Sequence, residues 1–309
     1  MLEPAPSVPA ITPPEKRVVL VTLDGVRWQD VVSPNAEVDL LPRIYEGVAE
    51  GGVIVGASAQ QGCSAVRATS GSNVSLPGYL EILTGRPTSC THNYCPPTTT
   101  PTVLDAAADN GVEGVASFGS WETLGRAVSN GRSLGIVVSV GQAKEKEKVD
   151  PFPGPAGSHY RPDRTTAKSA LAYYRENQPR LFHVGLGDTD EHGHRADQRG
   201  YFEALKEADA IVGQLMEAVE EAGHSSSTTF IVTTDHGRAA NFRDHGPGIV
   251  AASRSFVIGF GGGVRPAGVT CSKQDHTLAD VGATVRALLD LPPDAASSAG
   301  KPIEEIVAR

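Results

Sequence analysis

Three short apolar, β-branched runs in this chain each stop on acidic or imidazole side chains, and this repeated device limits the fold more than any other feature. Phe230–Val232, inside the stretch Thr228–Arg238, runs into Asp235, His236 and Gly237. Val18–Leu23 ends on Asp24 and Gly25, and Leu181–Leu186 ends on the series Gly187, Asp188, Thr189, Asp190, Glu191, His192, Gly193, His194. Each run reads as a buried strand. In a parallel α/β sheet the carboxyl ends of the strands are where ligands sit. One such tail is an ordinary polar turn. Three of them in a chain with nine histidines point to a single metal-binding edge, because a carboxylate beside an imidazole suits zinc or manganese.

At 309 residues the chain can bury a full core, and one large α/β domain over residues 17–309 is expected. The head, residues 1–16, is Pro-rich and is expected to be disordered. It has neither a basic n-region nor an apolar h-region. It is read either as the start of a cytoplasmic protein or as the linker of an extracytoplasmic, periplasmic one whose leader has been removed. The net charge of −9, from 27 basic and 36 acidic residues, argues against a nucleic-acid-coating surface. An anionic substrate then needs local positive charge, which bound metal ions supply. No apolar run is long enough for a transmembrane segment. Of the four cysteines, Cys90 and Cys95 are close enough for a local disulfide, which leaves Cys63 and Cys271 to pair. Four reduced thiols are the alternative, and a four-cysteine zinc site is disfavoured by the spacing.

Between these runs the pattern alternates. Helices are expected at Leu40–Glu50, from Ser75, at Val103–Asn110, Trp121–Ser129, Thr165–Glu176, Tyr201–Ala222 and Thr277–Leu289. Further strands are expected at Val53–Val55, Gly114–Ser117, Ile136–Val140 and Ser255–Phe260. Residues 58–72 and 86–100 read as loops, 143–149 as a solvated charge run, and 150–164 as a Pro/Gly-rich excursion. The alternation implies a mostly parallel sheet covered on both faces. Ser75 stands where a helix N-cap would, with Pro77 in the first turn. The functional reading is that it is a nucleophile, whose alkoxide and phosphorylated form the helix N-terminus stabilises.

The polar residues at the strand ends number six of the Asp/His type, Asp24, Asp190, His194, Asp235, His236 and His245, together with the hydroxyl of Ser75. Two divalent metals with three protein ligands each leave positions open for substrate and water. A pair roughly 3.5–4 Å apart clamps the attacking and leaving oxygens of an in-line displacement. Five pieces occur in order: LVTLDGVRW (Leu20–Trp28), NVSLPGYLEILTG (Asn73–Gly85), DTDEHGH (Asp188–His194), TTDHGR (Thr233–Arg238) and HGPG (His245–Gly248). In this the chain resembles the alkaline phosphatase superfamily, in particular its nucleotide pyrophosphatase/phosphodiesterase-like and sulfatase-like metalloenzyme branch. The resemblance implies an α/β three-layer sandwich with a mostly parallel central sheet and helices on both faces. It implies that Asp24, Asp235 and His236 hold one metal, which also binds Ser75, and that Asp190, His194 and His245 hold the other. Ser75 takes the place of the family's nucleophile. Asn93 corresponds to the residue that hydrogen-bonds a non-bridging phosphoryl oxygen.

The function expected on this basis is hydrolysis of a small-molecule phosphate ester, monoester or diester, through a phosphoseryl intermediate on Ser75. A metal activates a serine hydroxyl for such an attack. Zinc is the first choice of metal and manganese the second. A sulfatase needs Arg where Tyr79 stands, which counts against that alternative; phosphonate hydrolysis and a catalytically inactive metal-binding module remain as others. For the positive charge a monoester requires, Arg27, Arg67 and Arg86 are candidates; for the second ester group of a diester, Trp28 and Tyr79 are. Asp188 rivals Asp190, and His276 rivals His245. His183 and His192 read as structural, and the oligomeric state stays open.

Overall fold

The strand at the centre of the molecule, β1 (Arg17–Leu23), is buried along almost its whole length. Its side chains alternate between two cores. In the computed structural model, which describes residues 15–58, 60, 62–141 and 159–307, Val18 and Leu20 pack on one face with Leu76, Ile82, Leu104, Val281 and Val285. Val19, Val21 and Leu23 pack on the other with Ile44, Ala170, Leu205, Val212 and Leu215. A strand that is apolar on both sides has to be covered on both sides, which is why helices flank the sheet.

From β1 the chain passes through α1 (Trp28–Val31), α2 (Pro42–Ala49), β2 (Val53–Val55), β3 (Val66–Arg67), α3 (Ser75–Thr84), α4 (Val103–Asp109), β4 (Val115–Gly119), α5 (Gly125–Val128) and β5 (Ile136–Val140). It continues through α6 (Asp163–Asn177), β6 (Leu181–Leu186), α7 (Asp188–His194), α8 (Gln198–Glu221), β7 (Thr228–Thr233), β8 (Arg254–Ser255), β9 (Val257–Gly261), β10 (Gly268–Val269), β11 (His276–Thr277) and α9 (Ala279–Leu288). The main sheet has eight strands in the order β10-β2-β9-β7-β1-β6-β4-β5. Its pairings are parallel except that β9 runs antiparallel to both β2 and β7. This is the mostly parallel, three-layer α/β architecture expected from the alternation. A small second sheet, β11-β3-β8, lies apart from it.

Several boundaries differ from the sequence pattern, each for a tertiary reason. The helix expected over Leu40–Glu50 begins at Pro42, after a π-helical turn at Ala36–Leu40. Two residues of the expected loop 58–72 form β3, because β8 and β11 pair with them. The expected helix Trp121–Ser129 is split into a 3-10 turn, Glu122–Leu124, and α5, since Trp121 is held extended in a bridge to Tyr160. The late strand breaks at Phe256, where the chain leaves β8 in the small sheet for β9 in the large one. The charge run 143–149 and most of the excursion 150–164 lie outside the described residues, and so does the expected disordered head except Glu15 and Lys16. Disulfides join Cys63 to Cys271 and Cys90 to Cys95. No helix among the described residues is long and apolar enough to cross a membrane.

Candidate metal centre

β6, β1 and β7 are neighbours, and they end level. Thr22 stands opposite Gly185 on one side and Thr233 on the other, so the three polar tails start at one edge of the sheet. Asp24 follows β1, Asp235 and His236 follow β7, and the tail of β6 winds into the short helix α7, which carries Asp190 and His194 on one face, four residues apart. His245 arrives from the loop after β7. Its ring Nδ1 donates to the carbonyl of Asn73 at 3.0 Å.

Two groups of three result. Asp24, Asp235 and His236 form one; Asp190, His194 and His245 form the other; in each, the candidate ligand atoms lie within 4.8 Å of one another. In the first group, His236 Nε2 is 3.4 Å from Asp24 Oδ1 and 3.5 Å from Asp235 Oδ2. In the second, His194 Nε2 is 3.1 Å from Asp190 Oδ2 and 2.9 Å from His245 Nε2. Asp190 Oδ1 lies 3.9 Å from His236 Nε2, so the groups adjoin.

The donor set fits a divalent cation on three counts. His236 donates its Nδ1 hydrogen to the carbonyl of Gly237 at 2.8 Å, as His245 does to Asn73, which turns both Nε2 atoms toward the carboxylates. Asp235 Oδ2 is fully buried and has no hydrogen-bond donor, a costly state for a carboxylate oxygen unless a cation faces it. The carboxylates also demand positive charge. Burial opposes a charged His236, yet Asp235, Asp24 and Asp190 push its ring up to about 10. Burial and the adjoining Asp24 raise the Asp235 carboxyl, while burial and His236 bring His245 down to about 4.

Ser75 joins the first group. Its hydroxyl donates to Asp24 Oδ1 at 3.1 Å and lies 3.2 Å from His236 Nε2. It is not the N-cap that its position suggests. Val74 takes that place with extended backbone, and Ser75 is the first helical residue. Its side chain is therefore free of capping. The capping bond comes from elsewhere, since the side-chain oxygen of Asn93 accepts the amide of Leu76 at 2.9 Å. Asn73 sits in the left-handed region at φ 47°, a conformation asparagine tolerates. Its side-chain amide donates to the carbonyls of Gly246 and Ile249, tying the start of α3 to the His245 loop. α3 also approaches the tail of β7 so closely that a Cβ at Gly78 would strike the backbone of Asp235.

Sequence reasoning missed three partners. Arg238, buried directly after the DHG motif, pairs with Asp190 Oδ1 and donates to the carbonyls of Gly25 (2.8 Å) and Phe242 (2.5 Å). Burial works against the charge on Asp190, but Arg238, His194 and His245 hold its carboxyl below the ordinary range. A Cβ on Gly25 or on Gly193 would collide with this guanidinium, which gives the glycines of the DG and GH pairs a reason. Tyr79 donates to Asp24 Oδ2 at 3.1 Å. Glu191 is buried beside the site, where burial and the charges of Asp190 and Asp24 push its carboxyl up to about 8. Only Arg238 carried a usable signal, a basic residue fixed to a strand-end motif.

The remaining candidates resolve by their partners. Asp188 accepts from Tyr160 and from the amide of Asp163, away from the histidines. His192 pairs with Asp197, His276 with Asp280 and Glu305, and His183 is buried between Thr22 and Ser117. Arg27 and Arg86 are held by Asp30 and Asp294, and neither they nor Arg67 line the recess over Ser75. Trp28 lies under Arg254 and Tyr79 is buried, and neither lines the recess over Ser75. The recess over Ser75 is lined by Asn93, Trp121, Tyr160 and Glu191 besides the strand-end residues, with no lysine or arginine among the described residues.

Comparison with known proteins finds likeness in sequence and in fold. Residues 133–293 match the model of the metalloenzyme superfamily. A phosphopentomutase of Methylobacterium nodulans is 32% identical over 181 residues, which is 57% of this chain and 40% of that protein. The chain thus spans 40% of the length of the curated relatives it matches. Among solved structures, a phosphonate monoester hydrolase from Silicibacter pomeroyi superposes with a TM-score of 0.65 at 15% identity, over 94% of this chain and 76% of that one. An alkaline phosphatase, PafA, superposes with a TM-score of 0.65 at 11% identity, over 96% and 100%. At these identities the likeness is one of fold.

Proposed function

The chain belongs to the metalloenzyme superfamily, and from that premise we propose that it is an alkaline-phosphatase-like two-metal hydrolase of phosphoric esters, acting as one domain over residues 17–309 through a phosphoseryl intermediate on Ser75. The observation that carries this reading is the setting of Ser75. Its hydroxyl stands at the head of α3, 3.1 Å from Asp24 and 3.2 Å from His236, where two groups of candidate ligands adjoin.

Asp24, Asp235 and His236 would hold one divalent ion, and Asp190, His194 and His245 the other. Zinc suits this donor set first and manganese second. When bound, the ions neutralise phosphoryl charge and lower the pKa of the serine hydroxyl. Ser75 Oγ forms the new bond to phosphorus as the ester oxygen departs on the opposite side, and water then cleaves the Ser75–phosphorus linkage. The N-terminus of α3 stabilises the anionic forms of Ser75. Asn93, its oxygen already engaged by Leu76, has its amide hydrogens for a non-bridging phosphoryl oxygen.

The lining favours a diester. A monoester brings two negative charges, yet the recess offers the carboxylates of Asp24 and Asp190 and no lysine or arginine among the described residues. A singly charged diester meets less repulsion. A second reading, transfer of the phosphoryl group to an alcohol in place of water, draws on the similarity to the phosphopentomutase. The test is turnover of p-nitrophenyl phosphate, bis-p-nitrophenyl phosphate, p-nitrophenyl sulfate and a pentose phosphate by zinc-loaded protein against a chelated control. Metal-dependent cleavage of the phosphodiester ahead of the monoester is expected. Cleavage of the sulfate alone would refute the reading, and isomerisation of the pentose phosphate without release of phosphate would favour the second.

A further inference from the structure

Between α3 and α4 the chain runs without helix or strand, and yet it has to deliver Asn93 to the head of α3. Its bonds are short-range, such as the amide of Cys95 to the carbonyl of His92 and the amide of Tyr94 to His92 Nδ1, or reach outside it, as to Arg126. The amide of Cys90 donates to Thr88 Oγ1, the carbonyl of Cys95 accepts from Arg126 at 3.0 Å, and the amide of Thr98 reaches the carbonyl of Arg126. The disulfide between Cys90 and Cys95 closes a ring five positions long, and Asn93 lies inside it. Asn93 Oδ1 accepts the amide of Leu76, the residue after Ser75, and Asn93 and Ser75 line the same recess.

The second disulfide differs. Cys63 and Cys271 are 208 positions apart, so that crosslink removes far more freedom from the unfolded chain than a ring of a few residues does. A short ring adds less to global stability, and it also fixes local geometry. We propose that the Cys90–Cys95 ring is a positioning device for Asn93, through which it sets both the orientation of the Asn93 amide and the capping of Leu76 beside the nucleophile. The inference rests on the hydrolase reading for its effect on turnover, but its structural half stands apart from that reading.

The test uses the full chain, metal-loaded, in four forms: Cys90→Ser/Cys95→Ser, Asn93→Ala, the three changes combined, and Cys63→Ser/Cys271→Ser as the control for loss of a crosslink elsewhere. A catalytic group displaced by about an ångström costs up to about a hundredfold in rate. We therefore expect kcat to fall about ten- to hundredfold in the first two forms. The combined form should be no slower than Asn93→Ala alone, because the ring acts through that residue. The control should keep its kcat. Hydrogen exchange at the Leu76 amide is read in parallel and should quicken in the first two forms but not in the control. Wild-type kcat in the ring variant, losses that multiply in the combination, or unaltered Leu76 exchange would each overturn the proposal. If no ester is turned over by any form, the hydrolase reading falls, and Leu76 exchange still decides whether the ring positions Asn93.

Discussion

Tyr79 donates its phenolic hydrogen to Asp24 Oδ2 at 3.1 Å while the other oxygen of that carboxylate accepts from Ser75 at 3.1 Å. Both residues lie on α3, one turn apart, so a single helix orients one candidate ligand from two sides. Partners that orient a ligand in this way are typically worth 10–100-fold in metal affinity.

Tyr79→Phe keeps the buried ring and removes only that bond. We expect zinc affinity, measured by competition with a chromophoric chelator, to fall by about 10–100-fold. Unchanged affinity would mean that Asp24 is oriented without Tyr79.

Arg238 is a buried cation bonded to Asp190, and removing one partner of a buried pair strands the other. Arg238→Met should destabilise the chelated protein by about 3–5 kcal/mol in urea unfolding. Added zinc should recover part of the loss, because a metal ion supplies the missing charge. Gly193→Ala should have a milder effect in the same direction, since its Cβ would collide with the guanidinium.

Glu81 is buried in α3, and burial pushes its carboxyl from 4.5 up to about 7 although Thr69 donates to both of its oxygens. The folded protein therefore holds this proton more tightly than the unfolded chain does. The stability linked to it is full below about pH 4.5 and is lost as the pH rises through about 7. Glu81→Gln, which cannot ionise, should gain on the wild type by about 3 kcal/mol across that window, as read from urea midpoints at each pH. A pH-independent difference would contradict the assignment.

The parts legible in the sequence were those whose cause is local. β1, β6 and β7 are apolar runs with their acidic tails attached, so the strand and the carboxylate it presents are read together. The sheet's parallel character followed from the intervening helices. The placing of Ser75 was harder, because a serine before Leu-Pro-Gly fits an N-cap as well as a nucleophile, and only the bond from Asn93 to Leu76 shows that the capping is done from another loop. Arg238 and Asp190 are 48 positions apart, and although Arg238 follows a strand-end motif, nothing near it names Asp190 as its partner. The same holds for Trp121 and Tyr160, whose bridge cuts a helix that propensity alone would extend. Such features come from partners that only the folded chain brings together.

The central claim is that Ser75 is the nucleophile of a two-metal site. It is tested most directly by comparing wild type and Ser75→Ala for metal content and for turnover of bis-p-nitrophenyl phosphate after loading with zinc. The account predicts two bound metal equivalents in both proteins, turnover by the wild type that chelation abolishes, and a loss of about a thousandfold or more in Ser75→Ala. Wild-type turnover in Ser75→Ala, or a wild type that binds no metal, would contradict it.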